Sequence, residues 1–242
     1  MYNLSSSLSV LPINDPNRLE AMVIMGQILL NEGYEPPFVA GMLANIMREG
    51  SFGQFEGATN NPTDIQWYIR YFVNNHDYFS RFSNQAIYNV NATLSEIYNM
   101  ATNSPDDNIF GIGIIQNTNR DRILPLLRLY KEIANGNNSI TREQVIQAES
   151  YNLIRELRSG EHTGGGGLGW GWPGGTNNPY LPSIWRERNS NNLHSAEAAR
   201  SAAELITNSF IRPSTYDNLG IRRSVTRGND AVIIYNIMMG EH

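Results

Sequence analysis

Apolar residues recur along most of the chain at the spacing of an α-helix. Residues 16–32 carry apolar side chains at near-helical intervals, and Gly33 follows as a stop signal. After Pro36 and Pro37 the same spacing continues to Met47, which predicts a second helix of about three turns. The beginning of the chain is therefore predicted to form two consecutive helices.

Later segments repeat this amphipathic pattern. A short glycine-punctuated apolar segment that begins at Asn108 reads as extended before a helix that ends near Gly136. Thr141 precedes another helical pattern and is expected to cap it. The remaining predicted helices cover residues 63–75, 84–101, 195–213 and 222–240.

Residues 160–182 interrupt the helical pattern. They are rich in glycine and tryptophan and predict a loop, because so many glycines oppose regular structure. No segment shows the strong alternation of a strand. The sequence thus predicts a mainly α single domain spanning 1–242, with little or no β-structure and an aromatic-rich helical segment at 60–108.

Charge and composition exclude several classes of partner and chemistry. The net charge is −5 and no run of Lys or Arg exceeds two residues, so neither nucleic acid nor a membrane surface is an expected partner. The lack of cysteine removes disulfides, thiolate metal sites and cysteine nucleophiles. No histidine pair has the spacing of a zinc amidase. We therefore expect neither a metal nor another cofactor.

The sequence also bears on targeting. The first residues have no basic segment followed by an apolar core, so no Sec signal is predicted. No apolar run approaches the roughly 20 residues of a membrane span.

Glu49 is the principal candidate for chemistry. It follows an apolar helix whose expected stop is Gly50, and the negative end of the helix dipole is expected to raise the pKa of a carboxyl group there. Phe52 and Phe55 could exclude water from it. A carboxyl group kept neutral can protonate a leaving oxygen. The alternative from position alone is a surface carboxylate paired with Arg48 or another cation.

Four segments, in order, resemble the phage tail lysozyme family. Residues 38–52 resemble its first motif, an Ala- and Gly-rich helix that ends in Glu, although Gly50 and Ser51 are swapped. The second motif, Gly-x-Gly-Ile-x-Gln-x-Thr followed by Arg, is matched by Gly111, Gly113, Ile114, Gln116, Thr118 and Arg122. Residues 143–157 and the C-terminal part from Ser195 resemble the family's later helices.

The resemblance implies a lysozyme-like fold whose cleft binds bacterial peptidoglycan. It implies a glycoside hydrolase, a muramidase that cleaves the bond between N-acetylmuramic acid and N-acetylglucosamine, with Glu49 as general acid. Residues 60–108 would be an insertion. Delivery by a phage tail or secretion machinery, or release on lysis, would bring the enzyme to the cell wall, extracellular or virion-associated.

Several residues are candidates for substrate binding. Gln116 and Thr118 could hydrogen-bond sugar groups or position water, while a turn that satisfies its own backbone is the alternative. Gly113 allows a close backbone approach. Trp170 and Trp172 could stack on sugar faces, or pack on the domain.

The second carboxylate of a glycosidase is not assigned by the sequence. Candidates are Glu56, Asp64, Asp106, Asp107 and Asp121, and Asp121 is equally explained as a helix first-turn charge. Two alternatives to a muramidase stay open. One is a lytic transglycosylase that uses Glu49, and the other is a non-catalytic cell-wall glycan-binding module. Asn117 stands where the family usually has Trp.

Overall fold

The computed structural model is mainly helical, as the sequence predicts. It describes residues 4–11, 13, 15–49, 51–55, 81–104, 108–114, 117–159, 181–211 and 220–240. The helices, numbered here in chain order, are α1 Leu4–Leu8, α2 Pro16–Asn31, α3 Pro36–Ile46, α4 Leu94–Asn103, α5 Arg120–Ile133, α6 Arg142–Ser159, α7 Leu181–Arg188, α8 Ala196–Ile206 and α9 Arg223–Met239. A π-helical turn, Thr207–Ile211, follows α8. The strands β1 Asn108–Ile112 and β2 Asn117–Asn119 form one short antiparallel pair.

The chain divides into two compact units. The first combines Met1–Glu49 with Leu153–His242, and the second is the continuous segment Gly50–Asn152. The prediction of one catalytic domain across 1–242 stays a prediction, because two compact units can form either one domain or two.

The core of the first unit is built on α3. Every residue of this helix from Pro37 to Ile46 is buried, which explains why its sequence is apolar on all sides. It packs against α8 and α9. Gly41 allows the backbones of α3 and α8 to approach closely, since a Cβ added there would lie 2.6 Å from Ala202 Cβ and 2.7 Å from the backbone nitrogen of Ala203.

The second unit joins the strand pair to α4, α5 and the first part of α6. Thr93 Oγ1 accepts a hydrogen bond from the amide of Glu96, whose carboxylate accepts one from the amide of Thr93, so a capping box begins α4. The helix predicted for 84–101 is therefore wrong in its first half. Residues 84–93 form turns and an isolated bridge, and Asn84 has a φ of 60°.

The predicted helix cap at Thr141 is confirmed, whereas the predicted loop and insertion are described only in part. Thr141 caps α6 through a hydrogen bond from the amide of Gln144 to its hydroxyl oxygen, 3.2 Å long. Of the loop predicted at 160–182, residues 160–180 lie outside the described part, and the last two residues begin α7. In the predicted insertion at 60–108, helix α4 is confirmed, whereas residues 60–80 and 105–107 lie outside the described part.

Candidate functional site

Glu49 lies in a turn after α3 rather than in the helix itself. The helix ends at Ile46, and the turn continues through hydrogen bonds from the amide of Arg48 to the Asn45 carbonyl and from the amide of Glu49 to the Ile46 carbonyl. Gly50, the predicted stop residue, lies outside the described part. The helix has thus already ended when the chain reaches the carboxylate.

The Glu49 carboxylate is bound by an arginine from α9. Arg227 Nη2 donates to Glu49 Oε1 at 2.5 Å, and Arg227 Nη1 donates to Asn45 Oδ1 at 2.8 Å. The Thr207 hydroxyl also donates to Asn45 Oδ1, at 2.8 Å. The Asn45 amide nitrogen donates to the carbonyl oxygens of Gly41 and Ala203, so the network links α3, α8, the π-helical turn and α9.

This network is largely protected from water. The side chain of Arg227 is 2% exposed and that of Glu49 is 18% exposed, while Asn45 and Thr207 are buried. The Asn45 amide nitrogen is fixed by two backbone carbonyls, so its Oδ1 orients the guanidinium, and the guanidinium orients the carboxylate. Among the described residues, none donates a hydrogen bond to the other carboxylate oxygen, Oε2.

The ion pair corresponds to the alternative that the sequence left open, with a different partner. The neighbouring Arg48 does not bind Glu49; it forms a bidentate pair with Asp230, with nitrogen–oxygen distances of 2.8 and 3.0 Å. Arg227 binds Glu49 instead. Phe52 and Phe55 are buried within the second unit, where Phe55 stacks on Phe82 at 5.2 Å between ring centroids.

A second buried carboxyl group, Glu149 of α6, was not identified from the sequence. Glu149 Oε1 accepts hydrogen bonds from the amide of Gly53 at 2.5 Å and from the Tyr130 hydroxyl at 2.7 Å. Its Oε2 accepts one from the amide of Ile114 at 2.7 Å. The part of α6 that belongs to the second unit thus binds the backbone of two separate segments through one side chain.

Burial dominates the acid–base behaviour of this group. Removal from water raises the pKa of Glu149 to about 7, and the hydrogen bonds from Tyr130, Ile114 and Gly53 oppose that rise. The pKa of Tyr130 is raised well above its ordinary value, first by burial and then by the adjacent Glu149 charge. The sequence does contain a signal for the burial of Glu149. Val145, Glu149 and Leu153 lie on one helical stripe, and the other two residues of that stripe are apolar.

Gly113 lies directly against this carboxyl group. Its φ is +87°, and a Cβ added there would lie 3.1 Å from both the carboxyl carbon and Oε2 of Glu149. The need for glycine therefore has a packing explanation within the protein. Substrate contact by Gly113 stays a prediction.

The other predicted substrate-binding residues are only partly described. Thr118 belongs to β2, and its side chain lies outside the described part, as do Gln116, Trp170 and Trp172. The structure places Glu49 in the first unit, and Gly113 and Thr118 in the second.

The second carboxylate stays unassigned. Asp121 is exposed in the first turn of α5, where a negative charge is favourable to the helix, and the other four candidates lie outside the described residues. Within the described ranges no group of three or more His, Cys, Asp or Glu residues could hold a metal ion. Nor does any described helix have the length and apolar character needed to cross a membrane.

Comparison of the chain with protein-family models, with curated proteins and with solved structures gave no match. The resemblance to the phage tail lysozyme family stays a prediction that rests on the motifs quoted above.

Proposed function

We propose that this protein is a peptidoglycan hydrolase, a muramidase in which Glu49 is the general acid. The observation that carries the proposal is the placement of Glu49. The carboxylate follows a buried helix, one of its oxygens is held by the buried Arg227, and its side chain retains 18% exposure. A catalytic carboxyl group needs such a fixed position with access to substrate.

The two oxygens of Glu49 suit different tasks in this proposal. Arg227 fixes Oε1, so a proton on Oε2 could be transferred to the glycosidic oxygen. After transfer, the guanidinium stabilises the carboxylate that forms. The resemblance supplies the substrate class, because in that family the corresponding Glu acts on the bond between N-acetylmuramic acid and N-acetylglucosamine.

The same ion pair also favours a second candidate, a non-catalytic glycan-binding module of the bacterial cell wall. Arg227 and Glu49 neutralise each other and connect α9 to the turn after α3, which is what a purely structural pair does. A lytic transglycosylase with the same acid is the other enzyme that the proposal must be tested against.

The deciding experiment compares Glu49→Gln with the wild type in clearing purified cell walls. Glutamine keeps an oxygen that can accept from Arg227 but has no transferable proton, so we expect folding and wall binding to persist while clearing falls about 10²- to 10⁴-fold. Glu20→Gln makes the same change at an exposed position of α2 and should clear walls normally. Wild-type protein that binds walls without clearing them would establish the binding module.

The products then distinguish the enzymes. Hydrolysis should give muropeptides with reducible N-acetylmuramic acid ends, identified by mass spectrometry after borohydride treatment. Predominantly 1,6-anhydro ends would establish the transglycosylase, and reducible glucosamine ends a glucosaminidase. Freed stem peptides on intact glycan strands would refute the glycosidase proposal.

A further inference from the structure

Glu149 lies where three backbone segments of the second unit meet. Phe55 forms an isolated bridge with Ile112, and the amide of Gly113 donates to the Gln54 carbonyl at 3.1 Å. On the other side of the first segment, the amide of Ile87 donates to the Gly53 carbonyl at 2.9 Å. Residues 53–55 therefore lie between two other backbone segments, the end of β1 on one side and the segment that contains Ile87 on the other.

The carboxylate of Glu149 bridges two of these segments at a point where their backbones do not bond each other. It accepts from Gly53 on one oxygen and from Ile114 on the other. Gly113 has no side chain and lets the carboxyl group lie against its backbone. The clamp is therefore specific to a group that has two acceptor oxygens.

We infer that Glu149 is a pH-responsive positioning residue: as a carboxylate it holds the amides of Gly53 and Ile114 together, and as a neutral acid it binds one of them more weakly. Protonation gives one of the two oxygens a hydrogen to donate and leaves that oxygen a weaker acceptor. The Tyr130 hydroxyl can accept from that donor, since it already lies 2.7 Å from Oε1. The amide of Gly53, which shares Oε1, then keeps only this weaker acceptor.

Near-neutral pH is the range in which this change occurs, because burial places the pKa of Glu149 at about 7. Among the described residues, Tyr130 is the titratable side chain that contacts it. Residues 53–55 and 112–114 contribute only backbone groups and uncharged side chains. The pH response therefore depends on one proton that Glu149 shares with Tyr130.

The clamp also has a consequence for glycan binding, and this part rests on the proposed function. Ile114 directly follows β1 and Gly113, and the hairpin continues to β2, where the sequence places Thr118 as a sugar-binding residue. Residues 53–55 bond the end of β1, so weaker binding of the Gly53 amide is expected to loosen the hairpin and to weaken substrate binding rather than the chemical step.

The primary test is amide hydrogen exchange followed by NMR between pH 5 and 9, expressed as protection factors for Gly53 and Ile114. We expect the protection factor of Gly53 in the wild type to fall about tenfold as Glu149 becomes protonated. In Glu149→Gln the protection factor of one of the two amides should be about tenfold lower at every pH, because the new NH₂ group cannot accept a hydrogen bond. Glu143→Gln, an identical change at an exposed position of the same helix, should keep the wild-type profile.

Tyr130→Phe is a second variant that decides the matter if Glu149→Gln does not fold. The Tyr130 hydroxyl stabilises the Glu149 carboxylate, so its removal should move the midpoint of the Gly53 protection profile to higher pH. An unchanged midpoint, or a wild-type profile that does not vary with pH, would overturn the inference.

Activity provides an independent readout. With soluble glycan strands as substrate, Glu149→Gln should raise KM about tenfold and change kcat less than about threefold. A fall in kcat with unchanged KM would contradict the positioning role. Since the exchange profile needs no activity, failure of the muramidase proposal would leave the exchange test of the clamp intact.

Discussion

Glu49 and Arg227 form an ion pair in which both side chains are mostly shielded from water. Arg227 is bound by Asn45 on its other nitrogen, so it cannot move without breaking a buried hydrogen bond. A buried pair of this kind adds little net stability compared with apolar residues, but removal of one partner leaves a buried charge without compensation.

We therefore predict that Arg227→Ala lowers the free energy of unfolding by about 3 kcal/mol or more, measured by urea denaturation. Arg158→Ala is the matched control, because Arg158 pairs with Glu32 and the two side chains are 51% and 33% exposed. Exposed pairs contribute about 1 kcal/mol or less, so the control should differ little from the wild type. Equal effects of the two substitutions would contradict the difference in burial.

The raised pKa of Glu149 predicts that the free energy of unfolding depends on pH, and it determines the sign of that dependence. The folded protein holds this proton up to about pH 7, while the unfolded chain loses it near the ordinary value of 4.5. The stability that Glu149 contributes is thus fully present below about pH 4.5 and is lost as the pH rises through 7, because the cost of burying the charge exceeds the stabilisation by the hydrogen bonds of the clamp.

Between pH 4 and pH 8 this loss amounts to about 3 kcal/mol in the free energy of unfolding, in order of magnitude. Denaturation of the wild type and of Glu149→Gln across this range should show the difference, because glutamine does not titrate. Parallel curves for the two proteins would mean that Glu149 does not titrate as its burial implies.

At the scale of elements, hydrophobic spacing predicted most helices because one face of each is buried. This spacing failed to predict the structure where hydrogen bonds from polar side chains to the nearby backbone compete with helix formation. Residues 84–93 have the spacing of a helix, yet the Thr93 capping box begins the helix only at Leu94, and Asn84 adopts a left-handed conformation. Helix α3 is buried on all sides and has no polar face, but its uniformly apolar composition still predicted a buried helix.

The contact of α3 with α8 gives a prediction about helix packing. Gly41→Ala should lower the melting temperature and cost about 1–3 kcal/mol, because the new methyl group would meet the backbone of α8 at Ala203. Gly26→Ala is the control within a helix. Its methyl group would first meet the flexible end of the Leu4 side chain, and helix propensity favours alanine by about 1 kcal/mol. Equal destabilisation by both changes would argue against close backbone packing at Gly41.

At the scale of the whole molecule, the first unit is assembled from the two ends of the chain and the second from its middle. Glu49 binds a residue 178 positions later, and Glu149 binds one 96 positions earlier. Contacts of this kind depend on how the helices come together, and local periodicity carries no information about them.

The composition of the chain and the described side chains also predict that clearing of cell walls needs no metal ion. It contains no cysteine, and no metal-binding group of side chains occurs in the described ranges. We expect treatment with EDTA, followed by removal of the chelator, to change wall clearing less than about twofold. A loss that is restored by adding a divalent cation would contradict this expectation.

The sequence alone determined the mainly helical class, the position of most helices and the choice of Glu49 as candidate acid, because these follow from local spacing and short motifs. The tertiary structure decided that Arg227 rather than Arg48 binds Glu49, and that Glu149 is a buried clamp. The physical reason is that the strength of a charge and the pKa of an acid depend on burial and on partners distant in sequence, which only packing brings together.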